Sequence, residues 1–303
     1  MSDERPAGRD SFSRYREQLD AVGFRPSSSR GQNFLLDQTL HRWIAAQADA
    51  GAADTVVEIG VGLGFLTREL AMAAGRVLAV ELEPRLLEIA RRELRDFSNI
   101  EWLHADALSG PGRSLAPRIV EVAESCSGRM MVVANLPYSV SGPLLAELVQ
   151  LSRLPDRAVV LVQKELGQRL SAGVGQDLYG GLSGLVQSVF EARALRDVSP
   201  SVFRPRPKVW SSVVGLDRRS ELPDGLQDPS GRRRFARFVR SLFGQRRKTL
   251  RTTVAAAAAA LDLPRPTLPA PLLALRAEAL SPEQLCRLWR DCEQQAEGGS
   301  SDG

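Results

Sequence analysis

The stretch TVVEIGVGLGF at residues 55–65 decides the fold. TVVEI is the β-branched apolar run that a buried strand needs, and glycines at 60, 62 and 64 then break it and lead into a helical pattern from Phe65 to Ala74. A strand, a glycine turn and a helix in that order form the first unit of a nucleotide-binding α/β domain. Glycine lets the backbone pass close to a bound cofactor, and the helix that follows presents N–H groups with no intrahelical partner. The spacing is G-x-G-x-G, with Phe65 where a dinucleotide fingerprint has its last glycine, so the turn leans away from NAD.

Working outward, RVLAVEL at 76–82 reads as a second strand. Glu81 stands at its carboxyl end, about twenty residues after the turn, where a carboxylate grips ribose hydroxyls. Glu83 precedes Pro84 and reads as a helix cap. NIEWLHAD at 99–106 is a third strand, ending in Asp106, a carboxylate placed to accept from an adenine amine. MMVVANLPY at 130–138 supplies a fourth, and the wholly apolar AVVLVQ at 158–163 a fifth, as buried parallel strands require. Alternation of such strands with helices predicts a doubly wound, Rossmann-like α/β domain. Ligands bind at the carboxyl ends of its strands, which brings Gly60, Glu81, Asp106 and Asn135 to one crevice.

The fourth strand breaks at Pro137 and leaves a chemical turn at its mouth. Asn135 offers a side-chain carbonyl, Leu136 a backbone carbonyl held in place by Pro137, and Tyr138 an aromatic face. Two acceptors and a stacking plate suit an exocyclic amine on a flat base; an ordinary strand-to-helix turn is the plain alternative. Gln32 and Asn33, just ahead of Phe34, Leu35 and a helical pattern at 38–50, read equally well as a staple at the start of a helix. Phe203 lies among Arg204, Arg206 and Lys208 in a proline-rich run before a strand at 209–216. An aromatic with interleaved cations suits a flipped base and its phosphates, although a crossover to an antiparallel edge strand has the same composition. The glycine-rich segment 173–181, with Tyr179, is either a mobile substrate loop or a linker. His41 and His104 read as a helix-surface residue and a strand residue without a role.

With 303 residues, 43% of them apolar, the chain has room for one large and one small domain. No apolar run approaches the roughly eighteen residues of a membrane span, and MSDERPAGRD, with acidic residues and no apolar stretch, resembles neither a signal nor a transit peptide. Three cysteines, never at CxxC spacing, indicate neither a disulfide framework nor a zinc site and fit a reducing cytoplasm. The net charge of +4 hides an asymmetry, because residues 204–251 hold fourteen Arg or Lys against four Asp or Glu. The C-terminal third is therefore expected to face a polyanion, with Arg232, Arg233, Arg234, Arg246, Arg247 and Lys248 on its helices. Composition divides the chain into a disordered tail at 1–11, a catalytic α/β domain at 12–216, a helical domain at 217–295 and a second disordered tail at 296–303.

Taken together and in order, GQNFL at 31–35, EIGVGLGFLT at 58–67, VELE at 80–83, DAL at 106–108, NLPY at 135–138, YGGLS at 179–183, FRPRPKVWSSVV at 203–214 and QRRKTLR at 245–251 resemble the ribosomal RNA adenine dimethylases, the bacterial small-subunit branch above all. The resemblance implies a class I S-adenosylmethionine-dependent methyltransferase with the cofactor held by Asn33, Leu35, Gly60, Glu81, Asp106 and Asn135. It further implies that Asn135 and the Leu136 carbonyl accept the two N–H groups of an adenine N6, with Tyr138 and Phe203 sandwiching the flipped ring. The substrate would be two adjacent adenosines in a hairpin near the 3′ end of 16S rRNA, within the immature 30S particle, met by a cytoplasmic monomer that needs no metal. Arg204, Arg206, Lys208 and the helical domain would hold RNA phosphates. Two departures stand out: Val61 replaces a proline usual in the glycine turn, and Ser27, Ser28 and Ser29 replace basic residues usual before GQNF. The rivals are a large-subunit (23S) adenine methylase of the macrolide-resistance type, against which FRPRPKVWSS and QRRKTLR argue, and a non-catalytic assembly factor, against which the intact glycines, Glu81, Asp106 and NLPY argue.

Overall fold

The structure is a computed structural model, and it describes residues 12–27, 32–245 and 247–298. The N-terminal tail at 1–11, Ser28, Ser29, Arg246 and residues 299–303 of the expected C-terminal tail lie outside the described residues. The chain runs α1 (Phe12–Ala21), β1 (Phe34–Leu35), α2 (Gln38–Gln47), β2 (Thr55–Ile59), α3 (Phe65–Ala73), β3 (Arg76–Glu81), α4 (Pro84–Glu93), β4 (Ile100–His104), α5 (Pro117–Ser125), β5 (Met130–Asn135), α6 (Ser141–Leu148) and β6 (Arg157–Gln163). It continues through α7 (Lys164–Ser171), α8 (Gly181–Gln187), β7 (Phe190–Val198), β8 (Phe203–Arg204), β9 (Ser211–Arg218), α9 (Pro229–Leu242), α10 (Leu250–Ala259), α11 (Ala270–Ala274) and α12 (Pro282–Gly298).

Among the described residues the main sheet has the order β4-β3-β2-β5-β6-β9-β7. β2 lies parallel to β3 on one side, with Thr55 beside Arg76, and parallel to β5 on the other, with Thr55 beside Met130. The strand order reverses there, and in doubly wound sheets the ligand crevice opens at the carboxyl end of that switch point. All five residues of β2 are buried, which explains why the run carries no polar alternation. β7 has no counterpart in the sequence reading, because EARALRD exposes most of its side chains and so lacks an apolar run. At the amino edge, Asp54 accepts from the backbone N–H groups of Gly51 and Arg129 and from the Arg129 guanidinium at 2.8 Å. Those bonds, led by that of the Arg129 side chain, hold its carboxyl below the usual range, so this carboxylate is spent on joining the starts of β2 and β5.

The chain divides into two compact units. The first comprises Met1–Leu144, Pro155–Lys164 and Leu195–Gly215. Its core is built from strand residues such as Val56, Val133 and Val159, and Leu35 and Phe203 join it. A smaller cluster gathers Tyr15, Leu19 and Phe24 against Phe34, whose ring meets that of Tyr15 edge-on at 5.5 Å. β1 pairs antiparallel with β8, Phe34 beside Arg204 and Leu35 beside Phe203. The start of α2 is capped by Asp37, which accepts from Leu40 N–H at 3.0 Å, so Gln32 and Asn33 are not a helix staple.

The second unit comprises Leu145–Leu154, Glu165–Ala194 and Leu216–Gly303, so the helical region after 216 shares its unit with two earlier segments. Its core packs Phe235 against Trp289, ring centroids 5.5 Å apart, with Phe238, Leu242 and Leu250 buried around them. Tyr179 is buried and donates to the Leu280 carbonyl at 2.8 Å, which fixes the segment read as a mobile loop or linker. α12 continues to Gly298, beyond the 296 at which a tail was expected. EQQAE holds good helix formers, and the first stop is the glycine pair at 298 and 299. Among the described residues no helix is long and apolar enough to cross a membrane.

Candidate active site

The turn after β2 is shaped by backbone conformations that only glycine adopts without strain. Gly62 has φ +58° and donates its N–H to Glu81 Oε2 at 2.8 Å. Gly64, the N-cap of α3, has φ +80°, and a Cβ there would stand 3.0 Å from the Leu94 side chain. The other Glu81 oxygen accepts from Glu83 N–H at 2.9 Å. Burial raises the Glu81 carboxyl while these backbone bonds oppose the rise, and each oxygen keeps acceptor capacity for a further hydroxyl. Glu83 serves as the N-cap of α4 by backbone conformation, with Pro84 following it.

A cavity of about 240 Å³ lies at the carboxyl edge of the sheet, and Asn33, Leu35, Gly60, Glu81, Asp106 and Asn135 all line it. Asp106 is exposed, and its Oδ1 accepts from Leu108 N–H at 2.9 Å, while no described group donates to its Oδ2. Asn33 enters through the β1 segment, and its buried Oδ1 has no hydrogen-bond partner. Asn135 Nδ2 donates to the Asn33 carbonyl at 3.5 Å, which turns the amide so that Asn135 Oδ1 is left to accept. Next along the chain, Leu136 is buried and its N–H donates to the Leu161 carbonyl at 3.1 Å, while no described group donates to its own carbonyl. The Pro137 carbonyl is occupied by Val140 N–H and by the Ser141 hydroxyl at 3.0 Å. Tyr138 is half-buried and its hydroxyl lies 2.8 Å from that of Ser211.

Two cavity residues escaped the sequence reading. Glu58 is fully buried in β2, neither carboxylate oxygen has a hydrogen-bond partner, and its pKa is pushed up to about 8 by burial, with Thr67 opposing and Glu81 adding to the rise. The signal was present as a lone carboxylate inside TVVEI. His41 is not a surface residue of α2: it is 5% exposed, lines the cavity, and its ring lies 5.7 Å from that of Phe65. A carboxylate set of Glu58, Glu81 and Asp106 around one crevice, with an unmet acceptor on Asn33, suits a ligand with a cationic end and an amine-bearing flat end.

Other expectations are corrected. Phe203 is 1% exposed, packed in the core beside Leu35, and presents no face to a base. Arg232 is 1% exposed and donates to the carbonyls of Leu226, Gln227, Leu151 and Ser152, so it holds the second unit together and reaches no phosphate. Arg234 pairs with Glu293 at 2.6 Å. Arg204 is exposed but donates to the carbonyls of Ser201 and Phe203. Arg206, Lys208, Arg233, Arg247 and Lys248 are exposed.

A family model described as ribosomal RNA adenine dimethylase matches residues 23–265. The ribosomal RNA small subunit methyltransferase A of Staphylococcus aureus (strain bovine RF122 / ET3-1) is 39% identical over 238 residues, 78% of each chain. A dimethyladenosine transferase from Plasmodium falciparum superposes with a TM-score of 0.66 at 22% identity, covering 86% of this chain and 98% of that one. The 23S rRNA methyltransferase ErmE superposes with a TM-score of 0.58 at 25% identity, covering 86% of this chain and all of the other. These likenesses span the Rossmann-like sheet, the cavity at its switch point and the turn beyond β5, and the chain belongs to the ribosomal RNA adenine dimethylase family.

Proposed function

We propose that this chain transfers methyl groups from S-adenosylmethionine to N6 of two adjacent adenosines in a hairpin near the 3′ end of small-subunit (16S) rRNA, giving dimethyladenosines. The observation that carries this reading is the pair of acceptors left open at the end of β5, Asn135 Oδ1 and the Leu136 carbonyl, beside a cavity lined by carboxylates. When bound, S-adenosylmethionine supplies an electrophilic methyl on a sulfonium with its own leaving group, so the chain needs no metal and no tuned general base. Glu58 and Asn33 Oδ1 take the ammonium of the cofactor, Glu81 the ribose hydroxyls and Asp106 Oδ2 the adenine amine. Gly60 and Leu35 shape the walls.

Adenine N6 is a weak nucleophile because its lone pair is delocalised into the ring. In the first transfer Asn135 and Leu136 accept its two N–H groups and favour a pyramidal nitrogen whose lone pair faces the cavity, which is positioning and electrostatic catalysis. As each N6–methyl bond forms, the electron pair of the broken methyl–sulfur bond stays on sulfur and one N6 proton is released to solvent, so that one N–H remains to be held in the second transfer. Tyr138 stacks on the ring, and its bond to Ser211 holds the plate in one orientation. The two units carry their own cations for phosphates: Arg206 and Lys208 in the first, Arg233, Arg247 and Lys248 in the second. The substrate is the immature 30S particle, met in the cytoplasm by a monomer.

Labelled S-adenosylmethionine offered with immature small subunits, and with large subunits as the control, tests the reading. Dimethyladenosine near the 3′ end of the small-subunit RNA is expected. Label in the large subunit alone would transfer the assignment to the 23S branch, and cofactor binding without any transfer would make the chain a binding factor.

A further inference from the structure

The sequence places an aromatic among cations in 203–214, and burial of Phe203 leaves Trp210 as the one aromatic of that segment that faces solvent. Its side chain is 51% exposed, and Val209 beside it is 46% exposed. The ring is nevertheless held in place. Lys164 N–H donates to the Trp210 carbonyl at 2.9 Å, and Lys164 Nζ stands 5.9 Å from the ring centroid while pairing with Asp197 at 2.6 Å. The ammonium is thus neutralised and braces one side of the indole, leaving the rest of the ring open.

Its position gives this exposure a meaning. Lys164 follows the last residue of β6, so the bond to Trp210 sets the indole at the carboxyl edge of the sheet. The next residue, Ser211, reaches the Tyr138 hydroxyl on the catalytic turn. β6 separates β5 from β9, and two strand spacings amount to about 10 Å. A base neighbouring the one held at Asn135 would lie within that span. Arg206 and Lys208, both exposed, precede the ring by four and two residues and supply charge for the adjoining phosphates.

We propose that Trp210 is a stacking platform for an unpaired RNA base flanking the target adenosine, taking the aromatic role that the sequence assigned to Phe203. The inference rests on the RNA-directed part of the function proposed above. Trp210 sets the register of the strand, so that the base to be modified arrives at Asn135 and not its neighbour. It is a positioning residue and touches neither the reacting nitrogen nor the cofactor.

The test uses the full chain and a fluorescent RNA hairpin copying the 3′ end of 16S rRNA, with anisotropy as the readout. Trp210→Ala is expected to weaken RNA binding by about 5- to 150-fold, the range for losing one stacked base, and Trp210→Phe to stay within about fivefold of wild type. The salt slope should not change, since stacking releases no counterions. Affinity for S-adenosylhomocysteine should also be unaltered. RNA binding by Trp210→Ala within about twofold of wild type overturns the inference, as does a loss accompanied by a shallower salt slope, which would make the ring a mere support for cations. Methyl transfer is read in parallel, with immature small subunits as the substrate. Transfer by wild type with undiminished binding by Trp210→Ala removes the platform and leaves the methylase; no transfer by wild type with weakened binding by Trp210→Ala does the reverse.

Discussion

The Tyr138 hydroxyl lies 2.8 Å from that of Ser211, which ties the turn after β5 to the first residue of β9. Burial raises the phenol pKa, with Ser211 opposing, so Tyr138 stays neutral in the physiological range and keeps one ring orientation. Tyr138→Phe retains the ring and is expected to keep kcat/KM within about fivefold. Tyr138→Ala removes the plate, with a loss of about 5- to 150-fold. Equal losses in the two variants would show that the hydroxyl, and not the ring, carries the effect.

Asn135→Ala removes one of the two acceptors proposed for the target amine and the bond to the Asn33 carbonyl. Single-turnover methyl transfer should fall by about 100- to 1000-fold or more, while thermal unfolding stays close to wild type, because Asn135 is only half-buried and its side chain supports one long hydrogen bond. Near-normal transfer by this variant would refute the scheme.

Glu58 gives the site a pH signature. Its folded pKa of about 8 lies above the ordinary 4.5, so between these values the folded chain holds a proton that the unfolded chain has released. Its contribution to stability is complete below about 4.5 and is lost as the pH rises through about 8. Glu58→Gln should therefore flatten the fall of Tm with pH across that window and be the more stable protein at pH 8, by up to a few kcal/mol. On the proposed reading ionised Glu58 takes the cofactor's ammonium, so the same variant should bind S-adenosylhomocysteine about tenfold more weakly at pH 8, with the gap closing toward pH 6. Calorimetry of the two proteins across this range measures both effects.

Two adjacent arginines should behave as opposites. Arg232→Met leaves four carbonyls without their donor and is expected to cost about 3 kcal/mol, seen as a fall of several degrees in Tm. Arg233 is exposed, so the triple change Arg233→Ala, Arg247→Ala, Lys248→Ala should leave Tm near wild type. That variant should reduce the slope of log Kd for RNA against log salt by about 2 to 3. An unchanged slope would mean that phosphates are met elsewhere.

Much of the site was legible because its residues obey local rules. The glycines at 60, 62 and 64 mark a turn by composition, and Glu81 and Asn135 each end a strand whose apolar run predicts its direction and carboxyl edge, while Asp106, expected to end a strand, lies two residues beyond β4, which stops at His104. β7 was not legible, since its exposed face carries charges that mask the strand. Nor were the separate fates of Arg232 and Arg233, because one residue of rotation on a helix turns a side chain by about 100° and so from core to solvent.

The amino-acid sequence by itself determined the doubly wound fold, the crevice at the carboxyl ends of its strands, the acceptor pair after β5 and the basic character of the last third. These follow from local periodicity, proline and glycine geometry, and charge counting, which depend only on near neighbours. Tertiary structure alone decided that Phe203 is core and Trp210 is surface, that Arg232 binds carbonyls, and that Glu58 and His41 face the cavity. Whether an aromatic, a cation or a carboxylate meets water, a ligand or a buried partner is set by segments far apart in the chain, such as β1 against β8 or α9 against Leu151, and no local window of sequence contains both sides of such a contact.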